Sequence, residues 1–200
     1  MTASTRLDRA GDRPRLAATI APLVATGSLP GLREALAWAS AAGYPEVQLS
    51  VVDSELKPRE FGASARRDLA ATLSRLELAC SGIDMFLPPA HLADPTLVSR
   101  AVDAVVAAIE FAADLGRAPV TVPIAADAPS EVASALAAAA ERAGVELLLP
   151  TLRVEDAVRL VSPQFASIDC AAVLGAGGAP DQLVLALGRK VGGIRLVDLL

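Results

Sequence analysis

Short apolar runs alternate along the chain with longer stretches in which apolar residues recur at helical spacing. The short runs predict seven buried strands and the longer stretches predict six helices. Residues such as Pro95, Ser130 and Gly144 mark helix ends, because each favours the first positions or the end of a helix. The predicted strands lie at 16–23, 47–52, 78–87, 120–124, 145–149, 166–173 and 194–199, and the predicted helices at 30–42, 64–76, 95–115, 131–143, 154–161 and 181–187.

Strands separated by helices indicate parallel pairing, because a parallel neighbour needs a crossover of a dozen or more residues. The strands repeat roughly every 30 residues, close to the spacing of a (β/α)₈ barrel. The sequence therefore predicts an α/β fold, a TIM-type (β/α) barrel shortened to about seven strands and six helices. We expect this domain at residues 15–200, after a disordered tail at residues 1–14.

Composition and charge narrow the class of protein. Hydrophobic residues make up 53% of the chain and charged residues 20%, which excludes a disordered polymer. The net charge of −5 and the scattered arginines argue against a nucleic-acid partner. Charged residues interrupt every long apolar stretch and the first residues lack an apolar leader, so we expect no membrane span and a cytoplasmic location. Cys80 and Cys170 form no CxxC motif, which argues against a zinc cage or a disulfide framework.

Three segments carry a resemblance to a known family. The segment LPGLREALAWASAAGYPEVQLS (residues 29–50) resembles the first βαβ unit of xylose isomerase-like TIM barrels, the sugar-phosphate isomerase/epimerase superfamily. SIDCAAV (167–173) and IRLVDLL (194–200) resemble that family's sixth and seventh strands. The resemblance implies isomerisation or epimerisation of small sugars, with a divalent metal held by acidic and histidine residues where the later strands end.

The residues at the expected metal positions depart from that pattern. Pro150 or Thr151 stands where a glutamate usually follows strand five, and only Asp169 remains of a D..H pair because Ala172 occupies the histidine position. Arg195 places a cation where the family has a neutral ligand. Divalent cations need several converging oxygen or imidazole ligands. The resemblance therefore implies a degenerate member without its own complete metal site, and we expect no metal or cofactor.

Two carboxylates within predicted strands are the catalytic candidates. Asp84 and Asp169 lie inside the predicted strands 78–87 and 166–173 and are expected to point toward one mouth of the barrel, where paired carboxylates can move a proton next to a carbonyl group. A structural ion pair is the alternative, since an unpaired charge among apolar residues is costly. Arg195 either neutralises one of these carboxylates or holds an anionic substrate.

The remaining substrate-binding candidates are His91, Thr151 and Asp198, with Arg195. His91 is the only histidine and lies in a proline-rich loop, where a solvated or packing role is the alternative. Thr151 and Asp198 follow or end predicted strands at the same mouth.

The sequence thus predicts a barrel that binds a small carbohydrate or a sugar phosphate at its carboxyl-terminal mouth, and it leaves catalysis open. One alternative is a non-enzymatic interaction or assembly protein that uses an open barrel edge. Another is an isomerase completed by a partner chain. We expect a homodimer, because unpaired strand edges promote association.

Overall fold

The computed structural model describes residues 16–52, 56–160 and 164–196. Seven parallel strands form one sheet in the order β1 to β7, so each strand pairs with its neighbours in sequence. The sheet curls into a partial barrel with helices packed on it, which confirms the predicted fold class. The strands are β1 Ala17–Thr19, β2 Glu46–Ser50, β3 Ala79–Asp84, β4 Val120–Thr121, β5 Leu147–Pro150, β6 Gln164–Asp169 and β7 Val191–Arg195.

Seven α-helices lie in the described residues, rather than the six predicted for the chain. They are α1 Ala21–Ala25, α2 Leu32–Ala41, α3 Ala63–Arg75, α4 Val98–Asp114, α5 Ser130–Ala143, α6 Cys170–Gly175 and α7 Pro180–Leu187. The predicted helix at 154–161 is a 3₁₀ helix at Val154–Arg159, while α1 and α6 were not predicted. The predicted tail at residues 1–14 lies outside the described residues.

Two predicted strands are shorter than expected because short helices take over part of each apolar run. The first run ends its strand at Thr19, and the chain then turns into α1 with Pro22 in the first turn, where a missing N–H is tolerated. The sixth strand ends at Asp169, and the apolar residues that follow form α6. Apolar runs of this length do not distinguish a buried strand from a buried helix.

The start of α4 also differs from its prediction. We expected Asp94 to cap the helix, but the α-helix begins at Val98. The Asp94 carboxylate instead accepts hydrogen bonds from the backbone N–H and the hydroxyl of Thr96, at 2.7 Å each. This turn satisfies the backbone N–H of Thr96 just before the helix begins.

Alternating burial along the strands separates the two faces of the sheet. In β2, Val47 and Leu49 are fully buried, whereas Glu46 and Gln48, at the alternate positions, line the barrel interior. The apolar faces pack into a larger core that runs from Ala18 to Leu147 and a smaller core that runs from Ala157 to Leu187. The helices therefore cover an apolar outer face, and polar side chains point inward.

Among the helices that the structure describes, none combines the length and the apolar character that crossing a bilayer requires.

Candidate functional site

The sequence-predicted carboxylates lie where the strands end. Asp84 is the last residue of β3, Asp169 is the last residue of β6, and Arg195 is the last residue of β7. In (β/α) barrels the chemistry is carried at the carboxyl ends of the strands, because the loops that follow them surround one mouth. These three residues therefore define the candidate site.

An ion pair crosses the barrel at this level. The Arg195 guanidinium donates a hydrogen bond of 2.6 Å to Oδ1 of Asp84, and β3 and β7 are four strands apart in the curled sheet. The Asp84 side chain is 3% exposed and the Arg195 side chain is 18% exposed. The pair is thus largely desolvated, and charge-assisted hydrogen bonds of this kind are among the strongest in proteins.

Two further side chains complete the cluster. Nε2 of Gln48 donates to the same Oδ1 of Asp84 at 2.9 Å. The Arg195 guanidinium lies over the ring of Phe86, with its carbon 5.1 Å from the ring centroid. Because Phe86 keeps 43% of its surface exposed, it offers an aromatic surface to solvent beside the buried ion pair. We call Gln48, Asp84, Phe86 and Arg195 the mouth cluster.

Burial controls the ionisation of Asp84. Desolvation raises the pKa of this carboxyl above its usual value, while the hydrogen bonds and charge of Arg195 and the hydrogen bond of Gln48 oppose that rise. The guanidinium and amide donors stabilise the carboxylate form that accepts them. Asp84 therefore already bonds two partners, Arg195 and Gln48, which agrees with the predicted alternative of a structural ion pair.

Asp169 and Thr151 stand near the same mouth but are engaged locally. Oδ1 of Asp169 accepts a hydrogen bond of 3.0 Å from the backbone N–H of Ala172 and so caps α6, and Asp169 pairs in register with Arg195. The buried Thr151 hydroxyl donates to the carbonyl of Leu149 at 2.9 Å. These hydrogen bonds fix the backbone where β6 passes into α6 and where β5 ends.

His91 lies in the 3₁₀ helix Pro89–Leu92 and lines a separate cavity of about 380 Å³. Met85 and Leu87, which flank Phe86 in the chain, also line that cavity, whereas no member of the mouth cluster does. His91 therefore faces a neighbouring cavity rather than the ion pair of Asp84 and Arg195. Asp198 lies outside the described residues.

The resemblance to xylose isomerase-like barrels implies a divalent metal at this mouth. No group of three or more histidine, cysteine, aspartate or glutamate side chains converges among the described residues in a way that could hold a metal ion. Arg195 occupies the space beside Asp84, and a guanidinium repels a divalent cation. Within this part of the chain the residues at the mouth do not fit the metal, and no step of the proposed chemistry runs through one.

Gln48 and Phe86 were not among the predicted site residues. Gln48 could have been found from alternation, because Val47 and Leu49 point to the helix side and the residue between them must face the interior. Phe86 carries no such signal, since it follows β3 in a loop whose course depends on the rest of the barrel.

No protein-family profile matches the chain, and no curated protein matches it.

Several solved structures are similar to this chain. A xylose isomerase domain protein from Planctomyces limnophilus is 16% identical, with a TM-score of 0.65 over 80% of this chain and 67% of that one. A 3-keto-D-glucoside 4-epimerase from E. coli is 12% identical, with a TM-score of 0.67 over 83% and 73%. A xylose isomerase-like TIM barrel protein from Mycobacterium smegmatis, in complex with magnesium, is 13% identical, with a TM-score of 0.64 over 82% and 65%. The chain therefore spans about two thirds to three quarters of the length of these proteins.

These similarities confirm the predicted resemblance at the level of the fold, which is what identities this low establish. This chain has the fold of the xylose isomerase-like TIM barrels.

Proposed function

We propose that this chain is a cytoplasmic, degenerate relative of the sugar isomerases and epimerases, and that it binds a small carbohydrate or a sugar phosphate at the carboxyl-terminal mouth without a complete metal site of its own. The observation that carries the proposal is the mouth cluster. It places a carboxylate, an amide, a guanidinium and an exposed aromatic ring next to one another where the strands end.

The chemistry of this cluster suits a polyhydroxylated ligand. The amide, the carboxylate and the guanidinium can together accept hydrogen bonds from sugar hydroxyls and donate hydrogen bonds to them. An aromatic ring can cover the apolar face of a sugar. A guanidinium carries five N–H donors, of which one bonds Asp84 in the described structure. The remaining donors are available for sugar hydroxyls or for the oxygens of a phosphate group.

Known structures support the general class. The E. coli match is named as a sugar epimerase and the M. smegmatis match is in complex with magnesium. For this chain Asp169 and Asp84 stay the predicted proton-transfer residues, with Thr151 and Arg195 as predicted substrate contacts. Asp169 is the better candidate for a base, because Asp84 already shares its charge with Arg195.

Calorimetric titration with D-fructose, D-tagatose and D-ribose 5-phosphate tests the proposal. We expect at least one to bind, and Phe86→Ala to weaken that binding by roughly fivefold through loss of the ring contact. Arg33→Ala, which alters an exposed arginine on α2, is the control and should leave binding unchanged. A chelator should also leave binding unchanged. The absence of any binding to the unmodified chain would overturn the proposal, and binding that needs added Mg²⁺ would favour an isomerase completed by a partner chain.

The alternative of an interaction protein has one observation in its favour. Ile194 and Leu196 are large, apolar and exposed, and they lie at the last described strand. A second copy of this chain would cover them, so the homodimer stays a prediction. Light scattering at micromolar concentration measures it: a dimer that Ile194→Ser converts to a monomer supports it, and a monomer at all concentrations contradicts it.

A further inference from the structure

A second cavity lies beside the candidate site and is separate from it. It has a volume of about 380 Å³ and lies between the segment that follows β3 and the start of α4. Alternate residues of this segment face the two regions: Phe86 belongs to the mouth cluster, while Met85 and Leu87 line the cavity. No described residue lines both this cavity and the barrel interior.

The wall of this cavity is mostly apolar. Its apolar residues are Met85, Leu87, Leu97, Ala101 and Ala104. Among the described residues that line the cavity, none carries a hydroxyl, an amide or a carboxylate. The apolar side chains offer no hydrogen bonds to the hydroxyls of a sugar, and they favour a ligand whose body is apolar.

The two other described residues of the wall, His91 and Arg100, are basic, in a chain whose net charge is −5. Arg100 is exposed, and its guanidinium forms no hydrogen bond or ion pair with the other described residues. Asp103, three positions further along α4, lies 3.9 Å from the guanidinium of Arg59, which also donates to the Arg100 carbonyl at 2.9 Å. The five N–H donors of the Arg100 guanidinium are therefore available to an anion.

His91 adds a further donor to this wall, since an imidazole carries at least one N–H in either protonation state. Asp94 is a nearby carboxylate, but it accepts hydrogen bonds from Thr96 and does not line the cavity. The bonds from Thr96 are the main cause of the lowered pKa of Asp94, and the charge of His91 is a smaller one. Within the described part of the wall, two basic side chains thus stand without an acidic one.

The segment that follows β3 is preorganised. Pro88 and Pro89 restrict its backbone, because the proline ring fixes φ. The Leu87 N–H donates to the carbonyl of Met85 at 3.0 Å, and the His91 N–H donates to the carbonyl of Pro88 at 2.9 Å. A ligand that binds here does not have to order this segment first, so less binding free energy is lost.

We infer that this cavity is a binding site for a small carboxylate that carries an apolar chain. Arg100 binds the carboxylate, and His91 is a second donor. The chain lies against Met85, Leu87 and Ala104. Since each water takes about 30 Å³ in the liquid, the volume corresponds to roughly a dozen non-hydrogen atoms, as in a carboxylate of about eight carbons. The inference goes beyond the proposed function, because this cavity shares neither residues nor ligand chemistry with the mouth cluster.

Octanoate is the probe, and octanol and acetate separate the contributions of its charge and its chain. Calorimetric titration measures affinity, and the amide chemical shifts of Leu87, Arg100 and Ala104 report where the probe binds. We expect octanoate to bind and to shift these amides. Octanol should bind about tenfold more weakly because it lacks the charge, and acetate should not bind measurably because it lacks the chain.

Two variants of the whole chain test the two parts of the site. Arg100→Gln should weaken octanoate binding about tenfold and leave octanol binding unchanged, because it removes only the charged partner. Ala104→Leu should abolish the binding of both probes, because the larger side chain fills the cavity, and leucine is well tolerated in a helix. Arg142→Gln, at an exposed arginine on α5, is the matched control and should change neither affinity. The melting temperature of each variant shows that it is folded.

The absence of octanoate binding to the unmodified chain, or octanoate binding that either variant leaves unchanged, would overturn the inference. Octyl phosphate that binds about tenfold more tightly than octanoate would show that a carboxylate is the wrong anion. Saturation with D-fructose should leave the octanoate affinity unchanged, so failure at this cavity and failure at the mouth are separate outcomes.

Discussion

The first five strands and the last two strands of the barrel are stabilised by different contacts. The larger core contains Phe111 and Leu136, both fully buried, and it packs α2 to α5 against the first five strands. The smaller core contains six buried residues, among them Ile168, Leu183 and Leu187, between β6 and α7. The last strands therefore bury little apolar surface of their own, and they depend on β5–β6 pairing and on the Arg195–Asp84 ion pair. Asp84 and Arg195 of the candidate site thus also stabilise the last two strands.

The largest effect is expected in the larger core. Phe111→Ala should lower the free energy of unfolding by about 3–5 kcal/mol, because it removes a fully buried ring that packs edge-on against Phe61. Urea denaturation measures the change. Phe86→Ala is the matched control, since the same substitution at a partly exposed ring should cost much less. Equal costs at both positions would contradict this division of the molecule.

An intermediate effect is expected at the ion pair. Arg195→Met should destabilise the chain by about 2–4 kcal/mol, below the full range for a buried pair because Arg195 keeps some exposure. The cause is the unpaired carboxylate that remains, so adding Asp84→Asn should recover much of the loss. Arg33→Met, in an exposed pair with Asp68, should cost less than about 1 kcal/mol. If the double variant is no more stable than Arg195→Met, the ion pair does not secure the last strand.

The smallest effect concerns reactivity rather than stability. Burial raises the pKa of the Cys80 thiol to about 12, and its thiol also donates to the carbonyl of Gly82. At mildly alkaline pH less than about a thousandth of Cys80 is thiolate, so iodoacetamide should modify Cys170, at the start of α6, first. Mass spectrometry of digests measures the order. The order should disappear in denaturant, and a faster reaction at Cys80 in the folded chain would contradict the expectation.

The sequence predicted the parallel barrel because strand and helix signals agree along most of the chain. In α5 the alanine-rich helix ends before Gly144, which adopts a positive φ of 64°, so the local sequence specifies this end. At the other end Ser130 is the first helical residue rather than the predicted cap, and its side chain makes no capping hydrogen bond. The last strand was predicted at 194–199 and lies at Val191–Arg195. Two other predictions were wrong where a local alternative competes. Asp94 bonds Thr96 instead of capping α4, and the apolar residues after Asp169 continue as a helix.

The candidate site was predicted only in part for a related reason. The sequence predicts Asp84 and Arg195 inside strands and a carboxylate as partner for Arg195, but it places neither residue at the end of its strand. Which carboxylate it bonds depends on the curvature of the sheet, which brings β7 opposite β3 rather than beside it. Thr121 shows the same limit, since nothing in the sequence indicates that its buried hydroxyl oxygen has no hydrogen-bond partner among the described residues.

The separation of Asp84 from Arg195 along the chain has a consequence for biosynthesis. The two residues are 111 positions apart, and a ribosome adds roughly 5–20 residues per second, so Asp84 is made on the order of ten seconds before Arg195. During that interval the nascent β2–β3 unit can offer the carboxylate only Gln48 and water. The Asp84 carboxylate therefore stays hydrated until Arg195 has been made, and it exchanges water for the guanidinium only when β7 docks.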